Sequence, residues 1–294
     1  METRSSASRV AVVTGASSGI GKAAAKALAS DGWQVVGVGR NPERSRDALA
    51  EIRQHAPAAR VEMVIADLAV MTQARRAAAE IAALTDRIDV LLNNAGGIGK
   101  EKVVTSEGNE AVFTGNHLGP FLLTQELLPL LRRTVQAGSG DVRVINVSSL
   151  ATEFSPGIDW DNVQMLTDHE PNRAYCNVKI ANQMFTRALA RRLESEGIAV
   201  NAMHPGVADT NFSSYASEET KKAGESMRHL SVSAEQGADT LIWLAMDPAL
   251  RGISGAYYYN REPAAMHKQA LDDAEVERLW SESEAIVARS LATA

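Results

Sequence analysis

The chain has 294 residues, of which 45% are hydrophobic, and 36 acidic residues against 30 Lys and Arg give a net charge of −6. A chain of this length and apolar content can bury one large core, so we expect a single domain. The basic residues are scattered along a net acidic chain, which argues against a nucleic-acid-binding surface. The single cysteine, Cys176, excludes an intrachain disulfide and favours a reducing compartment.

No apolar run approaches the ~20 residues that a membrane-spanning helix needs, and residues 1–9 are polar and lack an apolar signal region. We therefore expect a cytoplasmic protein with no membrane partner, and we interpret the first residues as a short frayed tail. No cluster of Cys, His or Asp has the spacing of metal ligands, so the sequence predicts no metal site.

Short apolar runs alternate with amphipathic or alanine-rich stretches along the chain. Strands are predicted at residues 10–13, 34–38, 61–66, 88–92, 142–147, 199–203 and 256–259, and the most evident helices at 109–133, 173–196 and 234–246. This alternation is typical of an α/β protein with a doubly wound Rossmann fold, in which a seven-stranded parallel sheet carries helices on both faces. Residues 151–172 and 262–294 interrupt the pattern. The second of these segments is expected to form a charged helix near 272–289, packed on the outside of the domain.

A glycine-rich turn joins the first strand to the first helix. It reads Gly15-Ala16-Ser17-Ser18-Gly19-Ile20-Gly21 and leads into an alanine-rich stretch. Glycines let the backbone approach a pyrophosphate, and a helix N-terminus presents free N–H groups to it. The turn therefore predicts a phosphate cradle, with a plain strand-to-helix connection as the alternative. Its spacing, G-x-x-x-G-x-G, differs from the commoner G-x-G-x-x-G fingerprint.

A tyrosine and a lysine lie four residues apart, at Tyr175 and Lys179, in the predicted helix 173–196. Positions i and i+4 share one face of a helix, so the ammonium group can approach the phenol. A neighbouring cation favours phenolate and is expected to lower the tyrosine pKa from its usual value of about 10. The pair is therefore a candidate acid–base group, although such a spacing also occurs by chance in many helices.

Six motifs occur in the order seen in one known family. They are TGASSGIG at 14–21, NNAG at 93–96, NHLG at 116–119, NVSS at 146–149, YCNVK at 175–179 and HPG at 204–206. On these motifs the chain resembles the short-chain dehydrogenase/reductase family over about residues 9–260. The phrases NHLGPFLLT, INVSSLA and AYCNVKIAN are most similar to its retinol-dehydrogenase-like branch. The resemblance implies an oxidoreductase that transfers a hydride between a nicotinamide and a carbonyl or alcohol carbon.

The resemblance assigns a catalytic role to Asn116, Ser149, Tyr175 and Lys179. Tyr175 is expected to exchange a proton with the substrate oxygen, while Lys179 supports the charge and holds the nicotinamide ribose. Ser149 is expected to position the substrate oxygen, with Ser148 as the alternative. Asn116 is expected to position a water that relays protons, or else only to cap or bend its helix. Ser149 and Tyr175 are 26 positions apart, about twice the usual separation in the family, and members of this branch show a similar insertion.

The resemblance also assigns the cofactor-binding positions. They are Gly15, Ser17, Ser18, Gly19, Ile20, Gly21, Arg40, Asp67, Leu68, Asn94, Ala95, Gly96, Tyr175, Lys179, Pro205, Gly206, Val207 and Thr210. We expect NADP(H) rather than NAD(H), because the second strand ends in Arg40 and not in the acidic residue that binds the ribose of NAD. The guanidinium group suits a 2′-phosphate, and Lys22 can add a second positive charge. A solvated loop arginine is the alternative for Arg40.

The sequence is interpreted as one NAD(P)-binding domain over 1–294, with a core at 9–260, a substrate lid at 207–233 and a C-terminal helical extension at 262–294. The lid is polar and charged. We therefore expect a soluble or moderately apolar alcohol, ketone or aldehyde as substrate rather than a membrane retinoid. A homodimer or homotetramer could form through the helices at 109–133 and 173–196.

Two other functions are compatible with the family. A catalytically silent protein could sense NADP(H) on the same fold, but such relatives commonly lose the tyrosine or the lysine, and this chain keeps both. An epimerase or dehydratase of the extended branch usually shows G-x-x-G-x-x-G and a larger C-terminal domain, and neither feature occurs here. The sequence therefore favours the oxidoreductase.

Overall fold

An eight-stranded sheet forms the centre of the computed structural model, which describes residues 8–207 and 231–292. The strands are β1 (Val10–Thr14), β2 (Gln34–Gly39), β3 (Val61–Ile65), β4 (Val90–Asn93), β5 (Val142–Val147), β6 (Ile198–Met203), β7 (Tyr257–Tyr259) and β8 (Glu262–Pro263). Their order across the sheet is β3-β2-β1-β4-β5-β6-β7-β8. Strands β1 to β7 are all parallel, as predicted.

The eighth strand was not predicted, so the expected seven-stranded sheet is corrected to eight strands. Strand β8 pairs antiparallel with β7. The two residues between them, Asn260 and Arg261, have positive φ angles of 49° and 63°. Tight hairpins favour this conformation at both central residues and usually place a glycine there. Because this turn contains no glycine, its residues give little indication of a hairpin.

Nine helices surround the sheet in the part of the chain that the structure describes. They are α1 (Gly19–Ser30), α2 (Pro42–His55), α3 (Met71–Leu84), α4 (Ala111–Phe113), α5 (Gly119–Gln136), α6 (Pro171–Leu193), α7 (Ala234–Met246), α8 (Lys268–Leu271) and α9 (Asp273–Ala292). A π-helical turn, Thr114–Leu118, joins α4 to α5, so the helix predicted at 109–133 is one helix with a wider turn near its start. The predictions at 173–196 and 234–246 correspond to α6, with the 3₁₀ turn that follows it, and to α7.

Each face of the sheet carries its own hydrophobic cluster. Within β1, Val12 belongs to one cluster, whereas Ala11 and Val13 belong to the other. Helices α3, α5 and α6 cover the Val12 face, and α1 and α7 cover the opposite face. A parallel sheet buried on both faces requires strands that are apolar throughout, which is the pattern the sequence shows. The expected doubly wound, single-domain fold is confirmed.

The C-terminal helix α9 packs on the outer side of α5 and α6. The ring centroid of Trp280 lies 5.0 Å from that of Phe121 in α5 and 6.1 Å from that of Phe185 in α6. The charged helix predicted near 272–289 is therefore present, and one of its faces is apolar and buried. Part of the helical surface through which copies of the chain were expected to pair is covered by α9, and pairing itself stays a prediction.

The segment 151–172 lies between α6 and the C-terminal elements. It contains two 3₁₀ turns, Leu150–Phe154 and Trp160–Asn162. Ser155 Oγ donates a hydrogen bond to Asn177 Oδ1 of α6 at 2.8 Å. The backbone N–H of Ile158 donates to Gln269 Oε1 of α8 at 2.6 Å. The insertion is therefore anchored on both sides near the helix that carries Tyr175.

Candidate active site

The predicted site residues converge at the carboxyl edge of the parallel strands. Gly15 follows β1, Asn94 follows β4, Ser149 follows β5 and Pro205 lies two residues after β6. Strands β1 and β4 are neighbours at the centre of the sheet, where the order of the strands reverses. A doubly wound sheet opens a crevice at this reversal, and ligands bind there.

The glycine turn is packed too tightly for side chains at two of its positions. A Cβ on Gly21 would lie 2.4 Å from the carbonyl oxygen of Gly15 and 2.4 Å from Asn94 Nδ2. Gly15 has a φ of +71°, a conformation that L-residues with side chains rarely adopt. The turn therefore depends on glycine for its shape, and its role as a phosphate cradle stays a prediction.

The N-terminus of α1 is open to an anion. Within the described residues, no side chain caps this end, and the first turn of α1 contains no acidic residue. Ser18 is the N-cap residue, but its hydroxyl does not bond to the helix backbone. The free N–H groups and the positive end of the helix dipole thus point out of the turn. This arrangement fits a pyrophosphate at the predicted Ser17–Gly21 segment.

Thr14 stabilises the glycine turn through hydrogen bonds, a role that the sequence interpretation did not predict. Its hydroxyl accepts hydrogen bonds from the backbone N–H groups of Asn94 and Ala95, both at 2.9 Å. In return, Asn94 Nδ2 donates to the carbonyl oxygen of Thr14 at 2.8 Å. The segment 94–96, which is predicted to line the ribose, is therefore hydrogen-bonded to the end of β1. The signal was available, because Thr14 is the only hydroxyl residue in the strand.

The predicted cofactor-selecting residues lie together at the end of β2 and β3. An Arg40 guanidinium nitrogen is 3.7 Å from the Asp67 carboxylate, with the two side chains 55% and 31% exposed. Asp67 Oδ1 also accepts from the N–H of Ala69 at 3.0 Å. Lys22, in contrast, forms an ion pair with Glu51 of α2 at 2.5 Å. Lys22 is thus engaged with Glu51, and the role of Arg40 toward a 2′-phosphate stays a prediction.

Leu68 and Ile20 are largely packing residues. Leu68 is 5% exposed, and a Cβ on Gly119 would lie 2.0 Å from its carbonyl oxygen, so the start of α5 rests directly on it. Ile20 is half-buried against the cluster on the α1 face. Their roles at a bound cofactor stay predictions.

Asn116 lies in the π-helical turn and holds the loop that follows β4. Its Nδ2 donates to the carbonyl oxygens of Gly97, at 3.0 Å, and Val112, at 2.8 Å. Its Oδ1 accepts from the N–H of Gly97 at 3.1 Å. Both amide hydrogens are thus engaged with backbone, so the side chain fastens the loop and retains one oxygen lone pair for a water. Wide turns of this kind are frequent at functional sites.

The structure distinguishes the two serines after β5. Ser148 is buried, and its hydroxyl donates to the carbonyl oxygen of Lys179 at 2.7 Å. Ser149 is half-buried, accepts from the N–H of Ala151 at 3.1 Å, and forms a side-chain hydrogen bond with Tyr175. Ser149 therefore faces the tyrosine hydroxyl, whereas Ser148 supports the backbone of α6.

Substituting the two serines is expected to separate these roles. Ser149→Ala should lower kcat by roughly ten- to hundredfold, because the substrate oxygen loses a positioning partner. Ser148→Ala should leave kcat within about threefold and cost about 1 kcal/mol of stability, since one buried acceptor loses its donor. Steady-state kinetics and urea denaturation of both variants measure the difference. A larger kcat loss in Ser148→Ala would assign the substrate-facing role to Ser148.

Tyr175 and Lys179 are buried side by side on α6. The Lys179 ammonium nitrogen lies 5.6 Å from the centre of the Tyr175 ring and donates to the carbonyl oxygen of Val147 at 3.2 Å. A Cβ on Gly96 would lie 2.5 Å from Asn116 Oδ1 and 3.1 Å from Lys179 Nζ. The structure thus brings together Gly96, Asn116, Lys179 and Tyr175, which the sequence assigned to one site.

The electrostatics of the pair differ from the expectation. Burial raises the pKa of Tyr175 above its ordinary value, and the hydrogen bond with Ser149 offsets only part of this effect. The expected lowering of the tyrosine pKa is therefore wrong for this structure, because desolvation of the phenolate is the largest effect on this group. Burial also lowers the pKa of Lys179, to about 8. Tyr175 is a phenol at neutral pH, and Lys179 is still mostly charged there.

The HPG loop follows β6. Gly206 has a φ of +76° and packs on the ring of Tyr259. The His204 ring stacks on Tyr259 with centroids 4.1 Å apart, and burial lowers the pKa of His204 to about 4. His204 is thus a neutral packing residue. Pro205 and Val207 lie in the described loop, whereas Thr210 and most of the predicted lid lie outside the described residues.

Tyr257 is a second tyrosine at the site that the sequence interpretation missed. It is the first residue of β7 and is 4% exposed. Its hydroxyl donates to the carbonyl oxygen of Ser149 at 3.2 Å and so stabilises the turn that carries this serine. Burial raises the pKa of Tyr257 to about 12, so it remains a hydrogen-bond donor. A run of three tyrosines was the available signal, but the sequence alone could not show which of them points inward.

Residues 9–221 match the family model of the short chain dehydrogenases. The chain belongs to the short chain dehydrogenase family. The predicted resemblance and fold are thereby confirmed, and the protein is an oxidoreductase of the type that acts on CH–OH and C=O groups. Members of this family bind NAD(P) in the crevice described above.

Curated relatives place this short chain dehydrogenase in the retinol-dehydrogenase-like branch. Human retinol dehydrogenase 13 is 35% identical over 285 residues, covering 95% of this chain and 84% of the relative. Human polyprenol dehydrogenase is 33% identical over 278 residues, covering 94% of this chain and 84% of the relative. Similarity over almost the whole chain confirms the branch that NHLGPFLLT, INVSSLA and AYCNVKIAN indicated.

Solved structures of other proteins share the fold. An uncharacterized protein from Mycobacterium paratuberculosis has a TM-score of 0.73 and 30% identity, covering 95% of this chain and 93% of that one. The RhlG protein of Pseudomonas aeruginosa, in an active-site complex with NADP, has a TM-score of 0.68 and 29% identity, covering 87% of this chain and 96% of that one.

Within residues 8–207 and 231–292, no helix combines the length and the apolar character needed to cross a bilayer. In the same residues, no three His, Cys, Asp or Glu side chains are grouped as a metal site would require.

Proposed function

We propose that this protein is an NADP(H)-dependent oxidoreductase in which Tyr175 is the general acid and base. The observation that supports this most is the placement of Tyr175 between Ser149 and Lys179, at the same strand edge as the glycine turn. A nicotinamide cofactor, when bound, would supply or accept the hydride. The glycine turn, the open end of α1 and Arg40 would hold that cofactor.

The protein's own residues would transfer the proton to and from the substrate oxygen. In carbonyl reduction, Tyr175 donates its proton to the substrate oxygen as negative charge develops there. Burial holds Tyr175 in the phenol form, which is the form that this step requires. The Lys179 ammonium group then stabilises the phenolate that remains, and Ser149 orients the substrate oxygen. In the oxidation of an alcohol, the same groups act in reverse.

Preference for NADP(H) over NAD(H) is proposed from Arg40. Its side chain is 55% exposed and faces Asp67 at the open end of the crevice. A guanidinium hydrogen-bonded to a phosphate contributes about 1.5–3 kcal/mol, so Arg40→Ala should weaken NADPH binding about 10- to 100-fold. NADH affinity should change by less than about threefold. Fluorescence titration with both nucleotides measures this.

A matched control for Arg40→Ala is Arg46→Ala. Arg46 belongs to α2 and its side chain is 74% exposed. Its removal changes the net charge equally and should leave the affinity for NADPH unaltered. If Arg40→Ala binds NADPH as tightly as the wild type, the 2′-phosphate is held elsewhere and the assignment of Arg40 is wrong.

The proposed substrate is a small to moderately apolar carbonyl compound or alcohol. The retinol and polyprenol dehydrogenases among the relatives act on apolar alcohols by name, and Phe154, five positions after Ser149 in the chain, is 77% exposed. The polar composition of residues 207–233 favours a smaller ligand. Assays of all-trans-retinal against small aromatic and alicyclic ketones test this, with higher kcat/KM expected for the ketones. A strong preference for retinal would contradict it.

A further inference from the structure

A glutamate and a histidine face each other in the interior, apart from the residues assigned to the reaction. The side chains of Glu110 and His169 are 0% and 6% exposed, and Glu110 Oε1 lies 3.5 Å from His169 Nε2. Neither atom has a hydrogen-bond partner within the described residues. Buried polar atoms are normally hydrogen-bonded, and an isolated buried carboxylate is costly. The placement of these two atoms opposite each other therefore requires an explanation.

Glu110 and His169 lie at the starts of the two helical segments that carry Asn116 and Tyr175. Glu110 is the N-cap residue of α4, where its Oε2 accepts from the N–H of Phe113 at 2.7 Å, and it precedes Asn116 by six positions. His169 lies two residues before α6 and precedes Tyr175 by six positions. The pair therefore lies near the start of each helical segment, the same number of positions before Asn116 as before Tyr175.

The surrounding hydrogen bonds hold Glu110 in place. Gln164 Oε1 accepts from the backbone N–H of Glu110 at 3.0 Å. Gln164 Nε2 donates to Asn109 Oδ1 at 3.3 Å, and Asn109 Nδ2 donates to Ser290 Oγ of α9 at 2.7 Å. The insertion, the start of α4 and the C-terminal helix thus form one buried polar network. Of the two carboxylate oxygens of Glu110, Oε2 is hydrogen-bonded within the described residues, whereas Oε1 faces His169.

We propose that Glu110 and His169 are positioning residues, whose contact fixes the spacing between the helices that carry Asn116 and Tyr175. This inference rests on the proposed function. A hydrogen bond from the imidazole to the carboxylate satisfies both atoms and ties the insertion at 151–172 to the start of α4. Helices are stiff, so a change at their starts shifts the side chains six positions along. A misplacement of about 1 Å at a reacting centre can cost up to about 10²-fold in rate.

Variants of His169 test the proposal in the full-length protein, using NADPH and the best ketone of the panel. His169→Phe fills the space without a donor, and His169→Gln restores a donor. His169→Phe is expected to lower kcat roughly ten- to hundredfold, and His169→Gln to stay within about threefold of wild type. NADPH affinity, measured by fluorescence, should be unchanged in both, because the glycine turn and Arg40 lie on other elements.

A double-mutant cycle gives a second, independent readout. Glu110→Gln retains the cap for Phe113 but removes the carboxylate. If the two side chains act through one contact, the losses in kcat should not be additive on a logarithmic scale. The kcat of the double variant should then lie within about threefold of that of the less active single variant. The exposed His55→Gln on α2 is the control and should match wild type.

Equal kcat values for wild type, His169→Phe and Glu110→Gln would overturn the proposal, as would multiplicative losses in the double variant. If His169→Phe does not fold, Glu110→Gln alone decides, with an expected loss of roughly tenfold and an unchanged value as the contrary result. Absence of NADPH binding or turnover in the wild type would instead refute the proposed function, so the two failures are distinguishable.

Discussion

Tyr175→Phe is expected to lower the rate of carbonyl reduction by roughly 10²–10⁴-fold, the range that general acid catalysis contributes. The phenol has only one proton to give, and Phe retains the ring that packs against Lys179. The loss should appear in kcat, because the proposed cofactor contacts lie mainly in the glycine turn and at Arg40. Stopped-flow or steady-state oxidation of NADPH with a reactive ketone measures it.

Tyr258→Phe is a suitable control for this substitution. Tyr258 is also buried, but it lies in β7 and packs against Trp243 on the α7 face of the sheet. Its kcat should remain within about threefold of wild type, since it does not contact the site. If Tyr175→Phe retained more than about a tenth of the wild-type rate, another group would have to donate the proton, and Tyr257 would be the first to examine.

Lys179→Met is expected to raise stability while lowering activity by at least about 10²-fold. Burial lowers the pKa of Lys179 to about 8, so the folded protein bears the full cost of a buried charge below pH 8. Between pH 8 and the unfolded pKa of about 10.4, the unfolded state binds more protons, and wild-type stability rises with pH. Met fills the same space without charge, which should add up to roughly 3 kcal/mol at neutral pH.

Urea denaturation of wild type and Lys179→Met at several pH values tests this prediction. The stability difference should be greatest below pH 8 and should shrink as the pH approaches the unfolded pKa of about 10.4. Kinetics of the same samples should show the activity loss at every pH. A variant less stable than wild type at neutral pH would show that the ammonium group is stabilised in the fold, contrary to its burial.

The sequence predicted the parts of the site that depend on local chain geometry. Gly15 and Gly21 could be recognised because a tight turn under Asn94 admits no side chain, and such a turn has a fixed spacing. Tyr175 and Lys179 could be paired because one helix sets their separation. Asn116 and Ser149 required the family resemblance, since their neighbours come from distant strands. All six of these residues lie near the carboxyl edge of the parallel strands, as the order of motifs implied.

Features that depend on distant contacts were not predictable. The choice between Ser148 and Ser149 rests on the Lys179 carbonyl oxygen, 31 positions away along the chain from Ser148. The ion pair of Lys22 with Glu51 could not be seen without the packing of α1 on α2. The raised pKa of Tyr175 follows from burial, which the i, i+4 spacing with Lys179 does not report.

The Glu110–His169 pair illustrates the same limit. Neither residue belongs to a motif, and 59 positions separate them in the chain. Only the path of the insertion from β5 back to α6 places His169 above the start of α4. The family motifs of this chain can therefore be recognised from the sequence, whereas contacts such as Glu110–His169 can be found only in the folded structure.

Hydride transfer itself can be tested with NADPH that carries deuterium at both C4 positions of the nicotinamide. The wild-type protein is incubated with this cofactor and the ketone panel, and the alcohol products are analysed by mass spectrometry. We predict one deuterium on the carbinol carbon of a product, formed roughly 10²–10⁴-fold more slowly with Tyr175→Phe. Tight NADPH binding without deuterium transfer to any substrate would contradict it and would favour a protein that senses the nucleotide.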